Sequence, residues 1–320
     1  MKKLVVVIAT LTLLLAGCMK KEDTAPKETP TADGITVTDI YGEHTLNGPA
    51  KKIVALEWSQ AEELLALDVQ PVAMADIEGF GKWVTIDKKV ADGVIDVGQR
   101  GEPNIEEIAK AKPDLIIGLK THEKIKGDLE KIAPVLLFDH GSDEATKDLY
   151  QDMTISLTRM GVITGKEDAA KAAITHLEDK MAQAKEKINA ANLATKDFVF
   201  TQAYSVNEAP TFRLFTPNGL VSNVLEGMGL TNKIQDQKPQ PWGFVESNVE
   251  GLAKYQEAML LHTVQKDDPL FKNLSTNAAW NGLHFVKNNE MYDLGPGVWT
   301  FGSVLSMETL VDNVVTTLVK

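Results

Sequence analysis

Gly98-Gln99-Arg100-Gly101-Glu102-Pro103-Asn104-Ile105-Glu106-Glu107-Ile108-Ala109-Lys110-Ala111-Lys112-Pro113-Asp114-Leu115-Ile116-Ile117-Gly118 is a complete α/β unit written in 21 residues. Pro103 and Asn104 open an amphipathic helix with acidic residues in its first turn, Lys110 closes it and Pro113 stops it. Leu115-Ile116-Ile117 then reads as a strand buried on both faces of a parallel sheet.

The unit returns 144 positions later: Glu246-Ser247-Asn248-Val249-Glu250-Gly251-Leu252-Ala253-Lys254 repeats Glu102, Asn104, Glu106, Ala109 and Lys110 in register, and an apolar run, Ala258 to Leu261, again follows. A strand-turn-helix precedes each copy, Ile53 to Leu56 with Glu62 to Leu67, and Arg213 to Thr216 with Val221 to Met228. Chance likeness of two ordinary α/β units is the alternative. The reading adopted is an α/β protein of two similar lobes with a ligand cleft between them.

Outward from this unit, Ile35 to Gly42 alternates with period two and predicts a β-hairpin with the strand after His44. Ser59 is expected to cap the helix that reaches Leu67. Gly79 to Trp83 reads as loop, and a helix over Glu123 to Ile132 precedes the strand Val135 to Phe138, completing a first lobe over 35–142. Asp143 to Met160 holds no Gly or Pro before Gly161 and predicts a spine helix about 27 Å long at 1.5 Å per residue, within a linking segment 143–165. The Ala- and Lys-rich run 166–192 is strongly helical. It opens a second lobe over 166–320, whose sheet begins at Phe198.

Residues 1–17 have a two-lysine head, an apolar run too short to span a bilayer, and the small-residue end Leu15-Ala16-Gly17, the form of a cleaved export signal. Cys18, the only cysteine, excludes an intrachain disulfide. Residues 18–34 read as a polar tether. The net charge of −12 becomes about −14 when Lys2 and Lys3 leave with the signal, so a nucleic-acid partner, which needs a basic stripe, is excluded.

The chain uses 30 Lys but three Arg, at 100, 159 and 213. Arg159 falls near the end of the expected spine helix and reads as a structural cation at a helix C-terminus. Arg100 and Arg213 stand one in each lobe near strand ends, where a cleft opens. Trp280 reads as core. Trp242 and Trp299 lie in Gly/Pro-rich loops with no helix or strand to bury them; Trp58 and Trp83 are first-lobe loop candidates, and Tyr204 is the second-lobe tyrosine counted with them. Lys120 and His122 follow the strand ending at Gly118, where ligands of α/β sheets gather.

A set of ordered features carries a resemblance: Leu-Ala-Gly-Cys18, the tether, Ile53-Val54-Ala55-Leu56, Val-Gly-x-Arg-x-x-Pro-Asn-x-Glu-x-Ile-x-x-x-Lys-Pro-Asp-Leu-Ile-Ile, the spine, Thr216-Pro217-Asn218-Gly219, Trp242-Gly243, and Trp299-Thr-Phe-Gly-x-x-Leu-Ser. From Ile35 onward the chain resembles the iron–siderophore substrate-binding proteins of ABC importers, the ferric citrate and ferric hydroxamate receptors above all. Asp68 stands where that family usually has a helix-ending Gly, and Ser303-Val304 where it has Gly-Pro.

The resemblance implies a helical-backbone fold without intrinsic cofactor, a monomer that takes an iron(III)–siderophore complex as ligand and delivers it to permease subunits. It implies that Arg100, Trp242 and Trp299 line the cleft, that Glu106 and Glu250 meet permease arginines, and that Cys18 carries lipid and anchors the chain at the cell membrane. Met19 lacks the aspartate that retains lipoproteins at an inner membrane, which favours the outer face of a Gram-positive cell. The chemistry agrees: a chelated ferric ion needs no metal ligands from its receptor, only guanidinium forks for outward-facing oxygens and flat aromatic walls.

Two other classes are weighed. The six His show no paired spacing, so a direct metal-ion receptor is disfavoured, while a corrinoid or heme receptor stays open through the family link. A hydrolase would need a nucleophile elbow, and neither that motif nor a phosphate loop is present. The ligand type among citrate, hydroxamate and mixed chelates is left open.

Overall fold

The computed structural model describes residues 34–319. The expected export signal, Cys18 and all of the expected tether except Gly34 lie outside them. Among the described residues no helix is long and apolar enough to cross a membrane.

The hairpin forms as expected, Ile35–Asp39 against Gly42–Leu46. The first sheet is parallel throughout, in the order Ile95–Asp96, Ala73–Met74, Ile53–Ala55, Leu115–Leu119, Val135–Phe138. Ile53–Ala55, Leu115–Gly118 and Val135–Phe138 are buried throughout, so these apolar runs satisfy both faces of the sheet. The chain starts at the middle strand, winds to one edge and returns to wind to the other. The reversal falls between Ile53–Ala55 and Leu115–Leu119, and a crevice opens beyond their carboxyl ends.

The likeness of the two lobes stops at the sheet. In the second, Asp197–Val206 and Ala209–Phe215 form an antiparallel hairpin around Asn207 and Glu208, both left-handed with φ 48° and 66°. Phe244–Ser247 extends one side antiparallel, while Met259–Thr263 and Met291–Asp293 extend the other in parallel. The repeated units do correspond. Asn104 accepts from the Glu106 and Glu107 amides at 3.0 and 3.2 Å to start Ile105–Ala111, and Asn248 accepts from Gly251 at 3.0 Å to start Val249–Leu252.

The spine helix is Leu149–Thr164, 16 residues and about 24 Å long, displaced from the expected Asp143 to Met160. Asp148 sets its start by accepting from Tyr150 and Gln151 at 3.0 Å each, and Gly165, at φ 65°, ends it. Freedom from Gly and Pro thus failed to locate either end. Arg159 consequently lies inside the helix and not at its C-terminus. The next helix, Glu167–Ala190, packs on the spine and on the last helix, Val304–Leu318.

Three further expectations are corrected. Ser59 is not a cap: the helix is Trp58–Ala66, preceded by Glu57, whose side chain is turned elsewhere. Gly79 to Trp83 is no loop but most of the helix Ile77–Trp83, capped by Asp76 despite its two glycines. The helix over Glu123 to Ile132 shortens to a 3₁₀ stretch, Lys120–Ile125, and one turn, Lys126–Leu129. Asp68, in place of the usual glycine, adopts φ 55°, which Asp tolerates.

A continuous apolar core runs from Trp58, Leu64 and Leu65 through Leu157 and Met160 of the spine to Val221, Val224, Leu310 and Val314, so both sheets share one packed back. Glu62 crosses the same interface, accepting from Ser303 N and Ser306 N at 2.9 and 2.8 Å and from Ser306 Oγ at 2.6 Å. A first-lobe carboxyl therefore satisfies the amide groups at the start of the last helix.

Candidate functional site

Beyond the strand ends lies a cavity of 460 Å³ walled by residues of both lobes and of the spine. A second hollow of 800 Å³ opens beside it, and Arg100, Arg213 and Trp299 line both.

Arg100 sits at the tip of a tight hairpin, Gly98–Gln99 against Glu102–Pro103. His122 holds that tip: its Nε2–H donates to the Arg100 carbonyl at 2.7 Å and its Nδ1 accepts from the Leu119 amide at 3.1 Å. The Arg100 guanidinium lies 4.0 Å over the Trp58 ring, 5.8 Å from that of Trp299, and donates to Glu57 Oε2 at 3.1 Å. Arg213 stands within its strand, cross-strand from Gln202 and Glu246. Its guanidinium donates to Gln202 Oε1 at 2.9 Å and lies 4.7 Å from Phe244, 5.2 Å from Tyr204 and 5.8 Å from Phe301. Trp299 links the two stacks, 5.0 Å from Trp58 and 5.4 Å from Phe301. Each cation is thus held by aromatic faces and one polar partner, with donors to spare.

Trp242 is placed by glycine. A Cβ on Gly243, at φ 69°, would come within 2.5 Å of Gly219 Cα, so only two glycines let these backbones meet. Asn218 ties the junction, donating to Thr146 O at 2.7 Å and Gln240 O at 2.9 Å, while its carbonyl accepts from Leu149 N at 3.0 Å. Trp242 is thereby presented at the rim, 44 % exposed, with His140 of the first lobe 4.9 Å from its ring. Across the second hollow, Lys82 and Asp267 form a 3.2 Å ion pair between the lobes.

Several buried polar atoms of the main cavity have no partner within the protein: Gln60 Oε1, Glu63 Oε2, Arg213 Nε, Trp299 Nε1 and Thr300 Oγ1. They make up half of the ten such side-chain atoms among the described residues. Buried polar groups are normally satisfied, so their concentration on one wall set marks where a polar ligand belongs.

Burial pushes the Glu63 carboxyl up to about 8, against the pull of Ser156 and Arg159, and that of Glu62 up to about 7, against its bonds to the Ser303–Ser306 turn. Both groups bind a proton more tightly folded than unfolded, where the value is 4.5. The stability they contribute is full below pH 4.5 and is lost as pH rises through about 7 to 8. Thermal melts from pH 5.5 to 9 are expected to show a falling Tm, worth on the order of a few kcal/mol, and Glu63→Gln to flatten the fall. A melting temperature that rises across this window, or an unaltered slope in the variant, contradicts it.

Of the residues singled out in the sequence, Arg100, Arg213, Trp242 and Trp299 line the main cavity, and Trp58, Trp83 and Tyr204 line the second hollow. Trp58 is no loop residue: it is 3 % exposed, and its Nε1 donates to Ala75 O and Asp76 O. Two residues miss the cavities. Lys120 does not line them itself but pairs at 3.3 Å with Asp139, which lines the main cavity, and His122 is buried behind the Arg100 loop. Trp280 is core, stacked on Phe212 at 5.8 Å. Arg159 is the main omission, since it lines the cavity with its guanidinium 4.6 Å over Phe138. Gln60 and Glu63 were also passed over, as ordinary polar positions of a helix. Among the described residues no cluster of three or more His, Cys, Asp or Glu is arranged to hold a metal ion.

Two α/β lobes set on one rigid helix, with paired arginines and indoles facing a shared cleft, define a ligand receptor of the two-lobed binding-protein class. The chain belongs to the periplasmic binding protein family, whose sequence profile matches residues 53–297. It is 29% identical over 316 residues to the Fe(3+)-citrate-binding protein YfmC of Bacillus subtilis, covering 96% of this chain and 94% of that one. It is 28% identical over 258 residues to the iron(3+)-hydroxamate-binding protein FhuD of Escherichia coli, covering 80% and 82%. The crystal structure of the Fe3+-Desferal-bound siderophore-binding protein FhuD from Vibrio cholerae superposes with a TM-score of 0.72 at 25% identity, covering 84% of this chain and 98% of that one.

Proposed function

We propose that this protein is the extracellular receptor for a ferric siderophore of citrate or hydroxamate type, which it delivers to the permease of an ABC importer. It binds and does not turn over its ligand. The carrying observation is the concentration of unpartnered buried polar atoms, with Arg100, Arg213 and Trp299, around one cavity. Relatives named for ferric citrate and ferric hydroxamate, and a neighbour of similar fold bound to Fe3+-Desferal, support the chemical class.

Arg100 and Arg213 hold outward oxygens of the chelate; Trp58, Trp83, Trp242, Trp299 and Tyr204 form its walls. Lys120 adds a cation at the cavity's edge, beside the lining residue Asp139, and His122 serves by fixing the Arg100 loop. The lobes are taken as 35–142 and 166–320, joined by 143–165. Cys18 is the lipidation site, which would tether a monomeric folded body to the outer face of the plasma membrane.

Titration of the purified protein with ferric citrate, a ferric hydroxamate, a ferric catecholate, cobalamin, heme and unchelated Fe³⁺, followed by tryptophan fluorescence, tests the reading. Saturable quenching by citrate or hydroxamate complexes and none by unchelated iron is expected. Quenching by cobalamin or heme alone would transfer the site to those ligands.

A further inference from the structure

The ferric-ligand reading leaves one part of the cavity unused. Gln60 and Glu63 stand three residues apart on the helix Trp58–Ala66, and so share one face. Both line the cavity, at 3 % and 2 % exposure. Gln60 Nε2 donates to Gly118 O at 3.0 Å, which fixes the amide so that Oε1 is the atom left free. Glu63 Oε2 is equally buried and without a partner, the carboxyl's hydrogen-bonding neighbour being Ser156 of the spine.

The charges around Glu63 do not neutralise it. Its own helix adds Glu62, and the spine, packed against that helix, adds Asp152 and Arg159. Arg159 makes no ion pair with Glu63; its guanidinium lies over Phe138 instead, and Arg100 is engaged with Glu57. Asp152 is paired with His140 at 2.9 Å. A buried carboxylate lacking a cation or a set of N–H donors is better accommodated as the neutral acid.

We propose that Gln60 and Glu63 form a neutral hydrogen-bonding subsite on the cavity wall, an acceptor beside a carboxylic-acid donor, which binds an uncharged amide on the periphery of the bound ferric complex. A trans secondary amide points its N–H and C=O in opposite directions, so it gives its N–H to Gln60 Oε1 or its C=O to the Glu63 hydroxyl, and the other residue takes the matching group of a second amide of the chelate. A carboxylate offers no donor and repels Glu63 once it ionises. The two ends of the cleft then ask for different groups, anionic or electron-rich oxygens at Arg100 and Arg213 and a neutral amide here. This rests on the ferric-ligand reading and narrows it to chelates that carry amides.

The test measures affinity of the full chain for ferric Desferal, whose hydroxamates are joined through secondary amides, between pH 6 and 9.5 by tryptophan fluorescence. With Glu63 titrating near 8, the neutral form falls to a few per cent at pH 9.5, so wild-type affinity should drop by about 30-fold there. Glu63→Gln, which cannot ionise, should bind at least about tenfold more tightly than wild type at pH 9.5, and Gln60→Leu should lose about tenfold across the range. Ferric citrate, which has no amide, should be insensitive to Gln60→Leu. Circular dichroism at each pH separates unfolding from loss of binding.

A flat wild-type profile, or the same alkaline loss in Glu63→Gln, overturns the subsite while leaving the receptor intact. Failure of both complexes to quench the wild type at any pH removes the functional reading and the subsite together.

Discussion

Replacing Arg213 with leucine is expected to weaken binding of a ferric complex about 100-fold, and replacing Arg100 as well to bring binding to the limit of detection. Each guanidinium is held in place before any ligand arrives: Arg213 by Gln202 and the rings of Phe244 and Tyr204, Arg100 by Glu57 and Trp58. Little side-chain freedom remains to be lost on binding, so most of each charge-assisted bond reaches the affinity. Arg213 is the sharper test because its Nε is buried and unpartnered. Arg213→Lys should recover only a small part of the loss, since an ammonium cannot reproduce the fork or the stack. Quenching titrations of a folded Arg213→Leu variant that stay within about threefold of wild type would remove the arginine mechanism.

Fold and site were unequally legible, for physical reasons. The unit at Gly98–Gly118 could be read because every local signal agreed: Asn104 caps, Glu106 and Glu107 follow, and Leu115-Ile116-Ile117 has the apolar run that a strand covered on both faces requires. The spine was misplaced by several residues because freedom from helix breakers does not mark where a helix starts, and this start is set by a residue that caps, Asp148. Arg100 and Arg213 stood out because the chain otherwise uses lysine. Arg159 did not, since its reading depended on where the helix ended.

Gln60 and Glu63 were invisible for a deeper reason. A polar pair three residues apart on an amphipathic helix ordinarily marks the solvent face, and only the second lobe and the spine, closing over that face, make it the inside of a cavity. Lys120 could be placed from the strand it follows, but not its partner, since Asp139 reaches it from the neighbouring connection and itself lines the cavity.

Charge reversal at both Glu106 and Glu250 is expected to abolish uptake of the ferric ligand while its binding to the receptor is unchanged. The two side chains occupy equivalent places in the repeated units, each in the first turn of a helix capped by an Asn, one in each lobe. Both are exposed, and neither makes an ion pair among the described residues, so neither is committed to holding its own lobe together. Favourable interaction with the helix N-terminus is worth only about 0.3–1 kcal/mol, too little for reversal to unfold either lobe. Opposed to arginines on the permease, as the likeness to siderophore receptors implies, a reversed pair would set like charges against each other at a cost of several kcal/mol. Each single reversal should therefore slow uptake about 10- to 30-fold, and the double variant should reach the level of cells lacking the receptor. The two losses should also be roughly additive, since residues in different lobes share no partner. Measuring radiolabelled iron uptake beside ligand affinity separates docking from binding. Undiminished uptake in the double variant would mean that these glutamates serve only to start their helices.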